Sequence, residues 1–282
     1  MKKILLSMIA LIMMGASAQA QCLTLKKKYP AKAWQGEKVS YANKPNGTYS
    51  RLREEIHATD LPLIPRIENA DQKKELIIAE HINGGEIGWL ALYRNEMLAP
   101  TYDFIVVLYN ENKEPMASID LCEISNTYNC EVQDIRYDAD NYLLFFNMAC
   151  PSYSSEIGGK GSKLFCYHVG KEEMVWSTPY LTSNDILIFN DKYVFCSYGF
   201  TREKDYIFMI DKFTGKIYSK LPMDSDVEYI ELQEKNGKEL LYAIDYRESL
   251  YVYNINDQTI APKPKTATKK APVKRTTVSR KK

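Results

Sequence analysis

The chain has 282 residues, a formal net charge of +1, 26% charged and 45% apolar residues. That apolar content suits a packed core and excludes a wholly disordered or collagen-like chain. The near-neutral total hides a division: residues 262–282 hold seven Lys and two Arg without an acid, residues 1–20 add two Lys, and the stretch between carries about −10.

Residues 1–20 read as a cleaved signal peptide. Met1-Lys2-Lys3 is positive, Ile4 to Met14 is apolar except for Ser7, and Ala18-Gln19-Ala20 is a small-x-small cleavage site. The apolar run is too short to span ~30 Å of hydrocarbon. Gln21 stands where lipid attachment at Cys22 would require a small residue. No later stretch reaches 18 apolar residues, so no transmembrane segment is expected after cleavage. The expected destination is export: periplasmic, outer-surface-associated or secreted.

Residues 21–75 form an N-terminal extended segment broken by Pro30, Pro45, Pro62 and Pro65. Ser50 to Ala58 predicts one short helix, with Ser50 as N-cap. From Leu76 to Ala261 the pattern is strand after strand. Leu76–Ala79, Gly88–Tyr93, Phe104–Tyr109 and Met116–Leu121 are apolar or β-branched runs parted by polar turns. Asp134-Ile135 leads through Asp138–Asn141 into Tyr142–Phe146, and Asp185-Ile186 leads through Phe189–Lys192 into Tyr193–Cys196. Val227–Ile230 leads through Lys235–Lys238 into Leu240–Ala243. A strand–turn–strand period of roughly 50 residues marks an array of four-stranded sheets. The fold class is therefore all-β: a propeller-like ring of four to five four-stranded blades over 76–261. A strand from residues 23–45 or 61–68 is expected to complete the last blade. The tail, 262–282, lacks apolar periodicity and is expected to be disordered.

Ile207-Phe208-Met209-Ile210-Asp211-Lys212-Phe213-Thr214-Gly215-Lys216-Ile217-Tyr218 resembles the repeat of quinoprotein-like (PQQ-like) β-propellers. Leu164 to Trp176 is similar, with Trp176 where that repeat often ends in Trp. The resemblance implies a ring of four-stranded blades. It carries no cofactor over, because no residues here match the family's cofactor site.

Six cysteines in an exported chain allow 15 disulfide connectivities. Cys122 and Cys130 bracket a polar loop and are the first candidate pair. Cys150 and Cys166 could face each other across a hairpin, while Cys166 and Cys196 also suit free buried thiols. No Cys-x2-4-Cys spacing supports zinc, so no metal is expected. Asp134, Asp138 and Asp140 give only a fragment of a calcium loop and read as turn chemistry. Gly158–Lys163 fails the spacing of a phosphate-binding loop. His57, His81 and His168 give no His-x-His or His-x3-His spacing, and no Gly-x-Ser-x-Gly elbow supports a Ser-His-Asp set.

The long loop from Pro151 to Lys163 remains as the candidate contact surface, through Tyr153, Ser154, Ser155, Glu156 and Lys160. The expected function is an exported, non-catalytic binding or scaffold module for a protein or glycan partner, without a cofactor. The alternative is an extracytoplasmic hydrolase of glycans or another cell-surface polymer, whose acids the sequence does not single out. The basic tail is suited to an anionic surface or polyanion.

Overall fold

The computed structural model describes residues 22–31, 33–34, 36–39, 61, 74–82, 85–95, 103–125, 130–150, 152–200 and 202–257. The signal region, the helix predicted over Ser50–Ala58 and the tail lie outside the described residues.

Four antiparallel four-stranded sheets follow one another along the chain. The first blade holds β2 (Lys74–His81), β3 (Trp89–Asn95), β4 (Phe104–Tyr109) and β5 (Pro115–Asp120). A five-residue helix, α1 (Leu121–Ser125), leads to the second: β6 (Glu131–Asp138), β7 (Leu143–Ala149), β8 (Lys163–His168) and β9 (Glu173–Ser177). The third is β10 (Asn184–Phe189), β11 (Tyr193–Tyr198), β12 (Tyr206–Asp211) and β13 (Ile217–Pro222). The fourth is β14 (Val227–Lys235), β15 (Lys238–Asp245) and β16 (Leu250–Ile255), with its outer place taken by β1 (Leu23–Tyr29). The strand that completes the last blade thus comes from within the 23–45 candidate segment. First strands lie innermost: β10 packs against both β6 and β14. This is the blade arrangement of a β-propeller.

Burial follows from that placement. β4, β7 and β11 are buried at every residue because each is covered on both faces. The outer strand β1 shows only its ends to the core, and Lys26, Lys27 and Lys28 face solvent. Lysines on an outermost strand discourage pairing with another sheet. Each first strand also has a bulge against its second strand, as at Val132/Ile135 and Asn184/Leu187. Such bulges sharpen strand twist where blades converge on an axis.

Three apolar seams join the blades. Ile78 and Val106 meet Ile135 and Phe146 between the first and second. Phe145 and Trp176 meet Val194 and Phe208 between the second and third. Phe195 and Met209 meet Ile230 and Tyr251 between the third and fourth. On the far side of the fourth blade, Val39 and Trp34 pack on Tyr242 and Val252. Glu37 is held there by hydroxyls donated from Tyr29 (3.0 Å) and Tyr242 (3.2 Å) and by Lys235 Nζ (2.9 Å).

The Asp-Lys-Phe-Thr-Gly segment is a tight turn. Asp211 Oδ1 accepts hydrogen bonds from the amides of Phe213 (3.1 Å) and Thr214 (2.8 Å) and from Thr214 Oγ1 (2.8 Å). Gly215 then takes a left-handed φ of 71°. Beneath it, Lys212 Nζ reaches Asp138 Oδ2 of the second blade at 2.8 Å, with side chains 3% and 6% exposed.

The disulfide expected at Cys122–Cys130 is not the one formed: Cys130 is bonded to Cys150, with Cα atoms 4.1 Å apart. The ladder explains it. Glu131 pairs with Ala149, so the residues just outside that pair stand opposite each other where β6 and β7 end. The preceding chain does not run as a plain loop from Cys122, because α1 begins at Leu121. Cys166 and Cys196 are buried and unbridged, and Cys150 does not pair with Cys166. Burial pushes the Cys196 thiol up to about 12.

Candidate binding face

One end of the propeller gathers the loops that follow second strands and those that precede first strands. Residues 152–162, 202–205 and 246–249 belong to the first kind, 178–183 and 223–226 to the second. The candidate contact loop is here, and it is tied down. Ser154 N donates to Glu203 Oε1 at 2.6 Å, and Tyr198 Oη donates to Glu203 Oε2. The Tyr153 ring meets Phe200 edge-on at 4.9 Å. Inside the loop, Gly159 N donates to Ser154 O (2.6 Å) and Glu156 N to Tyr153 O (2.9 Å). Its far limb pairs with residues 181–182, through Leu181 N to Gly161 O (3.0 Å). Tyr153 and Ser154 therefore anchor the loop, while Ser155, Glu156 and Lys160 face solvent.

Other side chains at this end are absent from the sequence-based candidates. Tyr246 is 72% exposed on the β15–β16 turn, and Tyr180 is 46% exposed beside Lys163, whose Nζ lies 5.0 Å from the Tyr180 ring centre. Between the third and fourth blades, two carboxylates converge on Gly199. Asp205 Oδ1 and Asp226 Oδ1 each lie 2.4 Å from the point a Gly199 Cβ would occupy, so the two oxygens are at most about 4.8 Å apart. Only a residue without a side chain allows that approach. Asn184 fixes Gly199 from both sides, accepting from its amide (3.0 Å) and donating to its carbonyl.

The pair also joins three loops. Asp226 O accepts from Tyr246 N (2.8 Å), Asp205 O accepts from Met223 N (2.9 Å), and Asp226 Oδ1 accepts from Val227 N (3.0 Å). Burial, then the charges of Asp185 and Asp205, push the Asp226 carboxyl up to about 7. Burial also raises Asp205.

A second polar cluster lines the inner strands. Arg136 Nη1 contacts Glu80 Oε1 and Oε2 at 3.2 and 3.3 Å, and Arg136 Nε donates to Leu187 O at 2.8 Å. Asp134 Oδ2 accepts from Leu187 N at 2.8 Å. Asp134, Asp138 and Asp140 do not converge: Asp134 bridges to β10, while Asp138 bonds Asn141 and Lys212. These contacts lock the first three blades together at the axis. At the other end, an open groove of about 1180 Å³ runs past Asn190, Lys192, Glu239 and Asp257, where Asn190 bonds Glu239 and Lys192 pairs with Asp257. No cluster of three metal-ligating side chains occurs among the described residues, and none of their helices is long and apolar enough to cross a membrane.

No family model matches the chain, and no curated protein matches it by sequence. Solved structures resemble parts of it at low identity. Sqt1 of Saccharomyces cerevisiae is 12% identical, with 69% of this chain and 49% of that one covered and a TM-score of 0.47. The β-propeller domain of the Trilobed protease from Pyrococcus furiosus, described as having an open velcro topology, is 12% identical, with 62% and 53% covered and a TM-score of 0.38. The chain spans about half the length of each.

Proposed function

We propose that this protein is an exported, non-catalytic binding module that grips a protein or glycan partner with the loop-bearing end of its propeller. The observation that carries the reading is the anchored aromatic rim: Tyr180 and Tyr246 stand exposed at one end on loops held by backbone hydrogen bonds, and Tyr153 and Ser154 pin the loop beside them. Rigid tyrosines supply contact area at low entropic cost, and sugars and proteins both use it. The Cys130–Cys150 bridge fits an oxidising compartment, and Ala18-Gln19-Ala20 supplies an export signal. The basic tail acts as a tether to polyanions. The test is binding to an array of glycans and cell-wall polymers by the protein and by a Tyr180→Ala/Tyr246→Ala variant. Loss of a specific ligand in the folded variant supports the reading; equal binding by both overturns it.

A hydrolase is the second reading, and the Asp205–Asp226 approach is the observation that favours it. Paired carboxyls that approach within about 5 Å, one of them raised by burial and by its acidic neighbours, are groups suited to acid–base work on a glycosidic bond. Turnover of mixed glycans that disappears in Asp226→Asn would establish it in place of the first.

A further inference from the structure

The seam between the third and fourth blades contains a proton-dependent element that does not rest on what the binding face holds. Asp205 comes from the loop between β11 and β12, Asp226 from the residue before β14, and both close over Gly199. Two charges within about 5 Å in a partly buried seam repel strongly, and one bound proton removes the repulsion.

The surroundings reinforce this. Asp185 on β10 and Glu228 on β14 face Asp226, while Asp245 on β15 faces Asp205. The Arg247 guanidinium, on the β15–β16 turn, is the positive group facing Asp205. Asp245 is fully buried and already satisfied, accepting from Ser249 N (2.8 Å) and Tyr251 Oη (3.1 Å). β11 contributes no charge. Its Ser197 is fully buried, with an Oγ that has no hydrogen-bond partner. Strand alternation puts that hydroxyl on the same face of β11 as the Gly199 Cβ direction, toward the fourth blade. Ser225 Oγ, next to Asp226 in the chain, is likewise buried without a partner. Two buried hydroxyls without partners thus belong to the strand and the loop that meet at the carboxyl pair.

We propose that Asp205 and Asp226 hold one proton between them over Gly199, and that its release as pH rises loosens this seam and the three loops tied to it. The sign follows from linkage. An exposed Asp ionises near about 3.9, whereas Asp226 in the folded protein is pushed up to about 7. The folded state thus binds more protons than the unfolded state across that interval. Stability from this pair is present below about pH 4 and is lost as pH rises toward 7.

The experiment is a thermal unfolding series of the purified protein from pH 5 to pH 8.5, with Asp226→Asn and Asp205→Asn in parallel. Hydrogen exchange of residues 199–206 and 222–228 is followed in the same samples, corrected for the intrinsic pH effect and referenced to β7. The expected result is a fall in Tm from pH 5 to 8 at least about 5 °C larger in the wild type than in Asp226→Asn. Corrected exchange in the two segments should rise several-fold in the wild type and stay flat in the variant. Variants that keep the full wild-type fall, or exchange that does not change, overturn the proposal. Should both variants fail to fold, carbon NMR of the wild-type carboxyls decides: one midpoint at or above about 6 upholds it, and two midpoints near 4 overturn it.

Discussion

Trp176 closes on Gly215 across the gap between the second and third blades. A Cβ at Gly215 would lie 2.7 Å from Trp176 Cδ2, and Trp176 Nε1 donates to Lys212 O at 3.0 Å. An indole from one blade therefore lies flat on the turn of the next and caps it. Gly215→Ala both overpacks this contact and strains a positive φ, so it should cost about 2 kcal/mol or more. Trp176→Phe loses the hydrogen bond and part of the contact, about 1–2 kcal/mol. Urea unfolding measures both; a Gly215→Ala protein as stable as wild type would show that the docking contributes nothing.

The Lys212–Asp138 pair beside it is buried, so removing one partner should hurt more than replacing both. Lys212→Met leaves a buried carboxylate beside Asn141 and is expected to cost about 3–5 kcal/mol. Lys212→Met with Asp138→Leu should recover most of that loss. A double mutant cycle with no coupling energy would contradict this account.

Non-reducing peptide maps should recover Cys130 linked to Cys150. Cys166 and Cys196 should react with alkylating agents only after unfolding, because both are fully buried. Cys150→Ser should lower stability by about 3 kcal/mol under oxidising conditions, as expected for a loop of this size, and by nothing under reduction.

Removal of residues 262–282 should abolish retention on heparin while moving Tm by less than about 2 °C. Retention by the full chain should fall steeply with salt, because release of counterions drives such binding. A truncated protein retained as tightly as the full chain would place the polyanion contact in the body.

The fold was legible because its signals are local. Phe104–Tyr109 and Tyr193–Cys196 are apolar at successive positions, which only strands covered on both faces require, and the strands observed there match within two residues. The final blade was legible in outline: its closing strand could come from Gln258–Ile260 or from residues 23–45 or 61–68, and β1 lies within the second of these. Asp205 and Asp226 were not legible. They lie 21 positions apart with no motif joining them, and what brings them together is the missing side chain of Gly199, whose role appears only when β11 is placed against β14. The disulfide was misassigned for a related reason. Sequence proximity favoured Cys122, while strand register, set by the Glu131–Ala149 pair, favoured Cys150.

The pairing of β1 with β16 has a kinetic consequence. Leu23 is opposite Ile255, and Cys22 O accepts from Asn256 N at 2.7 Å, so the outermost ladder joins residues separated by more than 220 positions. That contact cannot form until nearly the whole described chain is available, and its loop-closure entropy is met only after the other strands have shortened the path. Until then β16 presents an open edge and the third blade lacks the hydrogen bond from Leu23 N to Ser219 Oγ. The lysines of β1 thus guard an edge only after closure; before it, the vulnerable surface is β16 itself. Closure by β1 therefore covers the one edge of the fourth blade that its neighbours in sequence leave open.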